Sequence, residues 1–276
     1  MPAIETLVDG LDHPEGVAWD PAAGVLWAGG ELGQVYRVDV EARTWEEVAR
    51  APGFVLGLAV DGRGRVVLCV SERDPSICVL EDGAVRTVAR GFSFPNWGAF
   101  APDGCFYFSD SGGWGRGEGR VYRLDSDGAA EELSRELRDF PNGCAVSPDG
   151  RWLWLVQSYE PTLWRFDLHA GDGSPELVMR FAGDVPDGVA LTADGGLLVS
   201  CYRPDRIYHV GADGRVEVVA EDPQGTLLAA PTNVCFVGAQ LDRVVSANLG
   251  RRHLSLLDLG LRGAPLHRPE RWAADR

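Results

Sequence analysis

The chain repeats one short segment, which is clearest at Pro141-Asn-Gly-Cys-Ala-Val-Ser-Pro-Asp-Gly150. The segment recurs without a gap as Pro186-Asp-Gly-Val-Ala-Leu-Thr-Ala-Asp-Gly195, and in a more divergent form as Pro95-Asn-Trp-Gly-Ala-Phe-Ala-Pro-Asp-Gly104. Shorter or degenerate copies occupy 14–21, 55–62 and 231–238. The full copies join a short apolar run to an Asp-Gly turn, which predicts a strand followed by a tight turn.

The six copies are spaced at an interval typical of propeller blades. Their second residues fall at 15, 56, 96, 142, 187 and 232, so the intervals are 41, 40, 46, 45 and 45 residues. Further short runs rich in Val, Leu, Trp, Tyr and Phe follow each copy, and no long stretch has helical periodicity. Four short strands per repeat at this period indicate a β-propeller. We therefore predict an all-β fold, a six-bladed β-propeller with four antiparallel strands per blade.

The repeats fill the chain, and we predict a single domain over residues 1–276. A chain of 276 residues with 45% hydrophobic residues is long enough for one large all-β domain. The last repeat lacks a fourth strand, so a strand near 3–10 is expected to close the ring, and residues after Leu261 are expected to form a surface tail. The expected blades lie near 14–53, 54–94, 95–140, 141–185, 186–230 and 231–262.

Composition argues against several classes of partner. The formal net charge of −15 disfavours binding to nucleic acid. No apolar stretch is long enough to span a bilayer, and residues 1–12 do not resemble a signal peptide, so no membrane partner is expected. The six cysteines form no CxxC pair, which predicts free, buried thiols in a cytoplasmic protein. No protein partner is indicated, and a small-molecule substrate is the expected ligand.

The residue that opens the first strand of each blade belongs to one ring, because the first strands of a propeller run along its central channel. Four of the six ring positions carry carboxylate or amide oxygens, and none carries Arg or Lys. Two carboxylates in one narrow cavity repel each other unless they share a proton or a cation. The ring residues are Glu15, Leu56, Asn96, Asn142, Asp187 and Thr232.

Oxygen ligands alone favour a hard divalent cation, and a loose cage completed by water suits Ca²⁺. Mn²⁺ and Mg²⁺ fit similar ligands, whereas Zn²⁺ is less favoured without His or Cys. The alternative is that Asn and Asp only form turns before each strand. Glu15 fits that alternative least well, because Glu is a poor turn residue.

These motifs resemble the gluconolactonase / senescence-marker-protein / luciferin-regenerating-enzyme family of six-bladed propellers. The resemblance rests on Pro14-Glu15-Gly16, Phe94-Pro95-Asn96, Phe140-Pro141-Asn142-Gly143, Pro186-Asp187-Gly188 and Leu198-Val199-Ser200-Cys201-Tyr202. It implies that Glu15, Asn142 and Asp187 hold the metal. It also implies that Asn96 contacts metal or substrate.

One departure from the sugar-lactonase members bears on the substrate. Those members have Arg-x-Asn-Asp at the third blade, where this chain has Phe94-Pro95-Asn96-Trp97. Losing the arginine and gaining aromatic residues suggests a less polar ligand. A mobile loop over the channel is expected at the glycine-rich segment 109–119. The expected substrate-binding residues are Asn96, Trp97, Trp114, Glu160, Tyr202 and Arg203.

The expected activity is a divalent-metal-dependent hydrolase that opens a lactone or related ester. The cation would polarise the carbonyl and activate water, and Asp187 is the candidate general base. One alternative is a metal-binding propeller enzyme of a biosynthetic pathway that catalyses a different ring-opening or rearrangement. A further alternative is a non-catalytic propeller with structural Ca²⁺.

Overall fold

A computed structural model describes residues 3–170 and 173–275. It contains six four-stranded antiparallel sheets arranged as the blades of a propeller, and one short 3₁₀ helix at Ala273–Asp275. The all-β, six-bladed prediction is confirmed.

The first three blades are each built from four strands that follow one another in the chain. Blade one consists of β2 (Val17–Asp20), β3 (Val25–Gly29), β4 (Gln34–Asp39) and β5 (Thr44–Arg50). Blade two consists of β6 (Phe54–Val60), β7 (Val66–Ser71), β8 (Ser76–Glu81) and β9 (Ala84–Arg90). Blade three consists of β10 (Pro95–Phe100), β11 (Phe106–Asp110), β12 (Arg120–Leu124) and β13 (Ala130–Ser134).

The fourth and fifth blades follow the same pattern, and the sixth combines the two ends of the described chain. Blade four consists of β14 (Pro141–Val146), β15 (Trp152–Gln157), β16 (Thr162–Asp167) and β17 (Pro175–Arg180). Blade five consists of β18 (Val185–Leu191), β19 (Leu197–Arg203), β20 (Arg206–Val210) and β21 (Val216–Glu221). Blade six consists of β22 (Pro231–Val237), β23 (Arg243–Asn248), β24 (His253–Leu257) and the N-terminal β1 (Ile4–Asp9).

The ring closes as expected, because β1 is the outer strand of blade six. It pairs antiparallel with β24, from Ile4 opposite Leu257 to Asp9 opposite His253. The core is divided into six apolar clusters, each formed mainly by two adjacent blades. The first strand of each blade is the innermost one. We call the end of the channel where these strands begin the upper end, and the other the lower end.

The expectation of a surface tail after Leu261 is wrong. Residues 262–275, which we call the C-terminal strap, cross the lower end of the channel. Trp272 is 1% exposed and packs against Phe100 and Phe106 in the cluster between blades two and three. Its indole Nε1 donates to Asp61 Oδ2 over 2.8 Å. A single buried Trp outside any strand leaves no periodic signal, so repeat analysis missed it.

The six cysteines are free and buried, as expected. Burial raises the pKa of the Cys69 and Cys201 thiols well above their ordinary value, which keeps both protonated. Among the described residues, no helix has the length and apolar character that crossing a membrane requires.

Candidate functional site

The ring residues lie at the upper end of the channel, where the innermost strands are irregular. In blades two to six the pairing register shifts around the ring position, as between Pro141 and Cys144 or between Pro186 and Val189. Such a bulge frees a residue from the regular alternation of side chains. All six ring residues are buried, including Glu15 at 5% and Asp187 at 8% exposure.

Glycines after four ring residues let neighbouring blades approach closely. A Cβ on Gly16 would lie 1.9 Å from the carbonyl oxygen of Leu56, and one on Gly143 would lie 2.4 Å from that of Asp187. The same crowding, at 2.6 Å, would occur between Gly57 and Asn96 and between Gly188 and Thr232. A side chain at these positions would push adjacent ring residues apart.

Hydroxyl groups complete the ring at the remaining junctions. Ser111 Oγ accepts from Asn96 Nδ2 over 3.0 Å and donates to the Pro141 carbonyl over 2.7 Å. Thr232 Oγ1 donates to the Glu15 carbonyl over 2.8 Å. Every pair of neighbouring blades is therefore in close contact at the level of the ring.

The two asparagines use their amide nitrogens and leave oxygens for other partners. Asn142 Nδ2 donates to Ser158 Oγ over 3.1 Å, in the same arrangement as Asn96 and Ser111. Asn96 Oδ1 is buried and has no hydrogen-bond partner in the structure. An unpaired buried carbonyl oxygen is costly, and a bound cation or water would remove that cost.

The two carboxyl groups of the ring interact directly. Burial raises the pKa of Glu15 well above its ordinary value, and the charge of Asp187 raises it further. Burial also raises the pKa of Asp187, and a hydrogen bond from Asn142 offsets only part of that rise. Within the described part of the chain, neither carboxyl forms an ion pair with a basic side chain. Two buried acids without a counter-charge fit a site for a cation.

Trp97 does not lie on an open rim. It is 7% exposed and takes the position that Gly143 and Gly188 hold in their blades. Its ring lies beside Gly57, and it lines the channel below the ring. The prediction that Trp97 contacts substrate therefore requires the substrate to reach below the ring.

Asn233 is a buried polar residue beside the ring that the repeat pattern did not predict. It also replaces the glycine that follows a ring residue, in the blade opposite that of Trp97. It is 1% exposed, and both of its side-chain polar atoms lack a partner. Its amide nitrogen lies 2.7 Å from the position of a Cβ on Gly188. The departure from Pro-x-Gly at 231–233 was the available signal.

Aromatic side chains gather at the upper end beside blades three and four. Trp114 is 54% exposed and packs edge-on against Phe140 and Tyr159, with ring centroids 4.9 and 5.4 Å away. Phe94 lies 5.9 Å from Phe140. Because Phe94 and Phe140 each come two residues before a ring asparagine, this cluster adjoins the ring; we call these four residues the aromatic rim.

The glycine-rich segment 109–119 contains Trp114 of the aromatic rim. Its Asp110 has a structural role instead. The Asp110 carboxylate accepts from the backbone N–H groups of Ser93 and Phe94 over 2.8 and 2.6 Å. That a segment within 109–119 moves as a lid stays a prediction.

Three further residues predicted to bind substrate occupy loops or strand ends at the upper end. Glu160 is directed to the outer strand, where Oε2 lies 3.8 Å from Arg180 Nη1 in an exposed pair. The Arg203 guanidinium stacks over Tyr202 at 5.0 Å and donates to Asp205 over 2.8 Å. Their contact with substrate also stays a prediction.

His13 lies near two carboxylates outside the ring. Its Nδ1 is 3.1 Å from Asp12 Oδ1 and 3.3 Å from Glu31 Oε2. The ligand atoms of the three residues lie within 4.8 Å of one another. Both oxygens of Asp12 are already engaged, because Oδ1 is within hydrogen-bond distance of His13 Nδ1 and Oδ2 accepts from Gln34 and the Leu32 N–H, so hydrogen bonds within the loop explain the arrangement.

The family model described as SMP-30/Gluconolactonase/LRE-like region matches residues 13–247. The chain belongs to this family. A 6-deoxy-6-sulfogluconolactonase of Pseudomonas putida is 28% identical over 54% of this chain and 52% of its own length. An L-arabinolactonase of Azospirillum brasilense is 30% identical over 52% of this chain and 48% of its own length. The chain thus spans about half the length of the curated relatives it matches.

Solved structures of the same fold cover nearly the whole of this chain. A gluconolactonase from Xanthomonas campestris has a TM-score of 0.80 at 24% identity and covers 94% of this chain and 90% of its own. A calcium-binding regucalcin from Agrobacterium tumefaciens has a TM-score of 0.78 at 18% identity and covers 97% of each chain. At these identities the likeness shows the fold alone.

Proposed function

We propose that the protein is a divalent-metal-dependent hydrolase that opens a lactone or related ester at the upper end of its channel. The carrying observation is the closed ring, in which Glu15 and Asp187 are buried, interact with each other and have no basic partner. Membership of a family that contains lactonases supports the reaction class.

The donor set fits a hard cation. Glu15, Asn142 and Asp187 would hold it, and the unpaired Oδ1 of Asn96 offers a further oxygen. Carboxylate and amide oxygens are ligands that Ca²⁺ prefers, with Mn²⁺, Mg²⁺ and Zn²⁺ as alternatives. The name of the regucalcin relative, a calcium-binding protein, supports Ca²⁺ as the first ion to test.

The protein's own groups position the reactants and move the proton. When bound, the cation supplies Lewis-acid stabilisation of the developing oxyanion and lowers the pKa of water. Asp187 is the proposed acceptor of the proton of the attacking water, because a hydrogen bond from Asn142 can orient its carboxylate. Asn96 and Asn142 are held by Ser111 and Ser158, so their oxygens are preorganised.

The aromatic rim supports a substrate less polar than a sugar lactone. The side chains of Trp114, Phe140 and Tyr159 present apolar aromatic surface beside the ring of polar residues. An arginine is also missing from the third-blade motif. Apolar contacts of this kind favour a substrate that has hydrocarbon surface to bury against them.

The test is to measure metal content and hydrolysis on one purified sample, before and after chelation. We expect about one Ca²⁺ per chain, hydrolysis that chelation abolishes and Ca²⁺ restores, and faster turnover of dihydrocoumarin than of δ-gluconolactone. Bound metal without hydrolysis of any lactone or ester would support the biosynthetic or the structural alternative instead. A chain that binds no divalent cation would contradict the proposal.

A further inference from the structure

A separate cavity of about 340 Å³ lies in the lower half of the channel. The innermost strands of all six blades form its walls, and Ala264–Arg268 of the C-terminal strap form its floor. It contains none of the proposed metal ligands, which stand at the upper end.

Small side chains at one repeated position create the cavity. The third residue after each ring residue is an alanine in five blades and a cysteine in the sixth, and all six line the cavity. Larger side chains at these positions would fill the channel. The residues are Ala18, Ala59, Ala99, Ala145, Ala190 and Cys235.

The walls between the small residues are mainly apolar and include the rings of Trp19, Trp97 and Phe236. A water molecule in a cavity needs two to four polar partners, so such walls hold water poorly. An apolar ligand suits these walls better than water does.

Two anchors fix the strap across the lower end of the cavity. Ala264 N donates to the Leu191 carbonyl over 3.0 Å, and Arg268 Nη2 donates to Asp20 Oδ1 over 2.7 Å. Between these anchors, Leu266 lines the cavity and is also 59% exposed. Solvent and cavity therefore meet at this side chain.

We propose that the lower cavity binds a small uncharged molecule with an apolar body of roughly ten to fifteen non-hydrogen atoms. Apolar cavities that water fills poorly bind apolar ligands, and the enclosure by six blades and the strap sets an upper limit on ligand length. The proposal does not depend on the hydrolase activity, because the cavity contains none of the six ring residues; Trp97, an expected substrate contact, also lines the cavity.

The experiment titrates the full chain with n-alkanols of increasing length, from butanol to decanol, by calorimetry and Trp fluorescence. The dissociation constant is expected to fall about threefold to fourfold with each added CH₂. It should stop falling once the chain exceeds the length of the cavity. Absence of saturable binding at every chain length would overturn the proposal.

Two cavity-filling variants and two controls locate the binding. Ala145→Leu and Ala190→Leu should weaken binding at least about tenfold while keeping or raising the melting temperature. Ala130→Leu, on the exposed strand β13, and Asp187→Asn should bind alkanols like the unchanged protein. Equal binding by both cavity variants and the Ala130→Leu control would place the site on the surface and refute the assignment. If one leucine variant does not fold, Ala59→Val provides the same comparison with a smaller side chain.

Discussion

The two ends of the channel treat buried acidic groups in opposite ways. At the lower end, Asp61 is 0% exposed, and its carboxylate accepts from Arg65 Nε and from the indole N–H of Trp272. At the upper end, Glu15 and Asp187 are almost as deeply buried, yet they have only each other and an amide. A buried acid with a full set of partners stabilises the fold, whereas a buried pair without a counter-charge indicates a ligand.

The lower acid belongs to a network that fastens the C-terminal strap. Arg65 Nη1 donates to Asp275 Oδ1 over 2.7 Å, and Asp275 Oδ2 accepts from the backbone N–H of Trp272 over 3.1 Å. The strap therefore carries both an apolar anchor and a counter-charge for blade two. No equivalent partner approaches Glu15 or Asp187 among residues 3–170 and 173–275.

The largest expected effect is a loss of activity when one member of the carboxyl pair Glu15 and Asp187, which we call the upper pair, is neutralised. Asp187→Asn should lower kcat/KM for the best lactone at least about a hundredfold, because it removes both a metal ligand and the proposed base. The melting temperature of the metal-free variant should not fall, since the substitution relieves repulsion with Glu15. Asp194→Asn, in the same blade at the lower end, is the matched control and should retain turnover. Turnover by Asp187→Asn near the original rate would remove Asp187 from the mechanism.

At the lower end, replacing the buried acid should reduce stability and leave activity unchanged. Asp61→Ala should lower the free energy of unfolding by about 3 to 5 kcal/mol, because Arg65 keeps only Asp275 as a close partner and the Trp272 indole and two backbone N–H groups lose a buried acceptor. Urea denaturation measures this loss. Asp61→Asn keeps an acceptor for Trp272 and should cost less. Activity per folded molecule should be unchanged, and a selective loss of activity would show that the two ends are coupled.

The upper pair should also give the metal-free protein a distinctive pH dependence. The pKa values of Glu15 and Asp187 are raised in the folded state, so the native protein binds more protons than the unfolded chain above the ordinary carboxyl range. Its melting temperature should therefore fall as pH rises from about 5 to about 8. Saturating Ca²⁺ should reverse the trend, and Asp187→Asn should flatten it. A metal-free melting temperature that rises over this range would contradict the assigned pKa directions.

The smallest effect is expected for an exposed acid at the upper end. Glu160 pairs with Arg180 at 3.8 Å, and both side chains are more than half exposed. Glu160→Gln should change the free energy of unfolding by less than about 0.5 kcal/mol. A KM change beyond a few-fold would show that Glu160 turns toward the channel when substrate binds.

Sequence repeats predicted the features that depend on local geometry. Pro-Asn-Gly and Pro-Asp-Gly encode a strand start with a close approach to the next blade, so six copies predicted six blades and aligned Glu15, Asn142 and Asp187 in one ring. Contacts between segments that are distant in the chain produce no repeated sequence pattern. The burial of Trp272 depends on its reaching Asp61, about 210 residues away in the chain.

The repeat pattern also did not predict the direction in which individual side chains point. Trp97 and Asn233 occupy glycine positions at strand starts where the pairing register shifts, so the repeat did not predict that Trp97 lines the channel or that Asn233 is buried beside Gly188. Glu160 was placed at the correct end, but the Arg180 beside it lies on the outer strand of the blade, a neighbour that the loop sequence does not reveal.

The pairing of β1 with β24 has a consequence for the order of folding. Ile4 meets Leu257 only when almost the whole described chain is present, so the closure entropy of the ring falls on the last step. Until then β24 is an unprotected edge, and Leu254 and Leu256 are without the β1 side chains that complete their apolar cluster. During synthesis, this strand is the place where a chaperone or a second nascent copy would compete with the chain's own N-terminus.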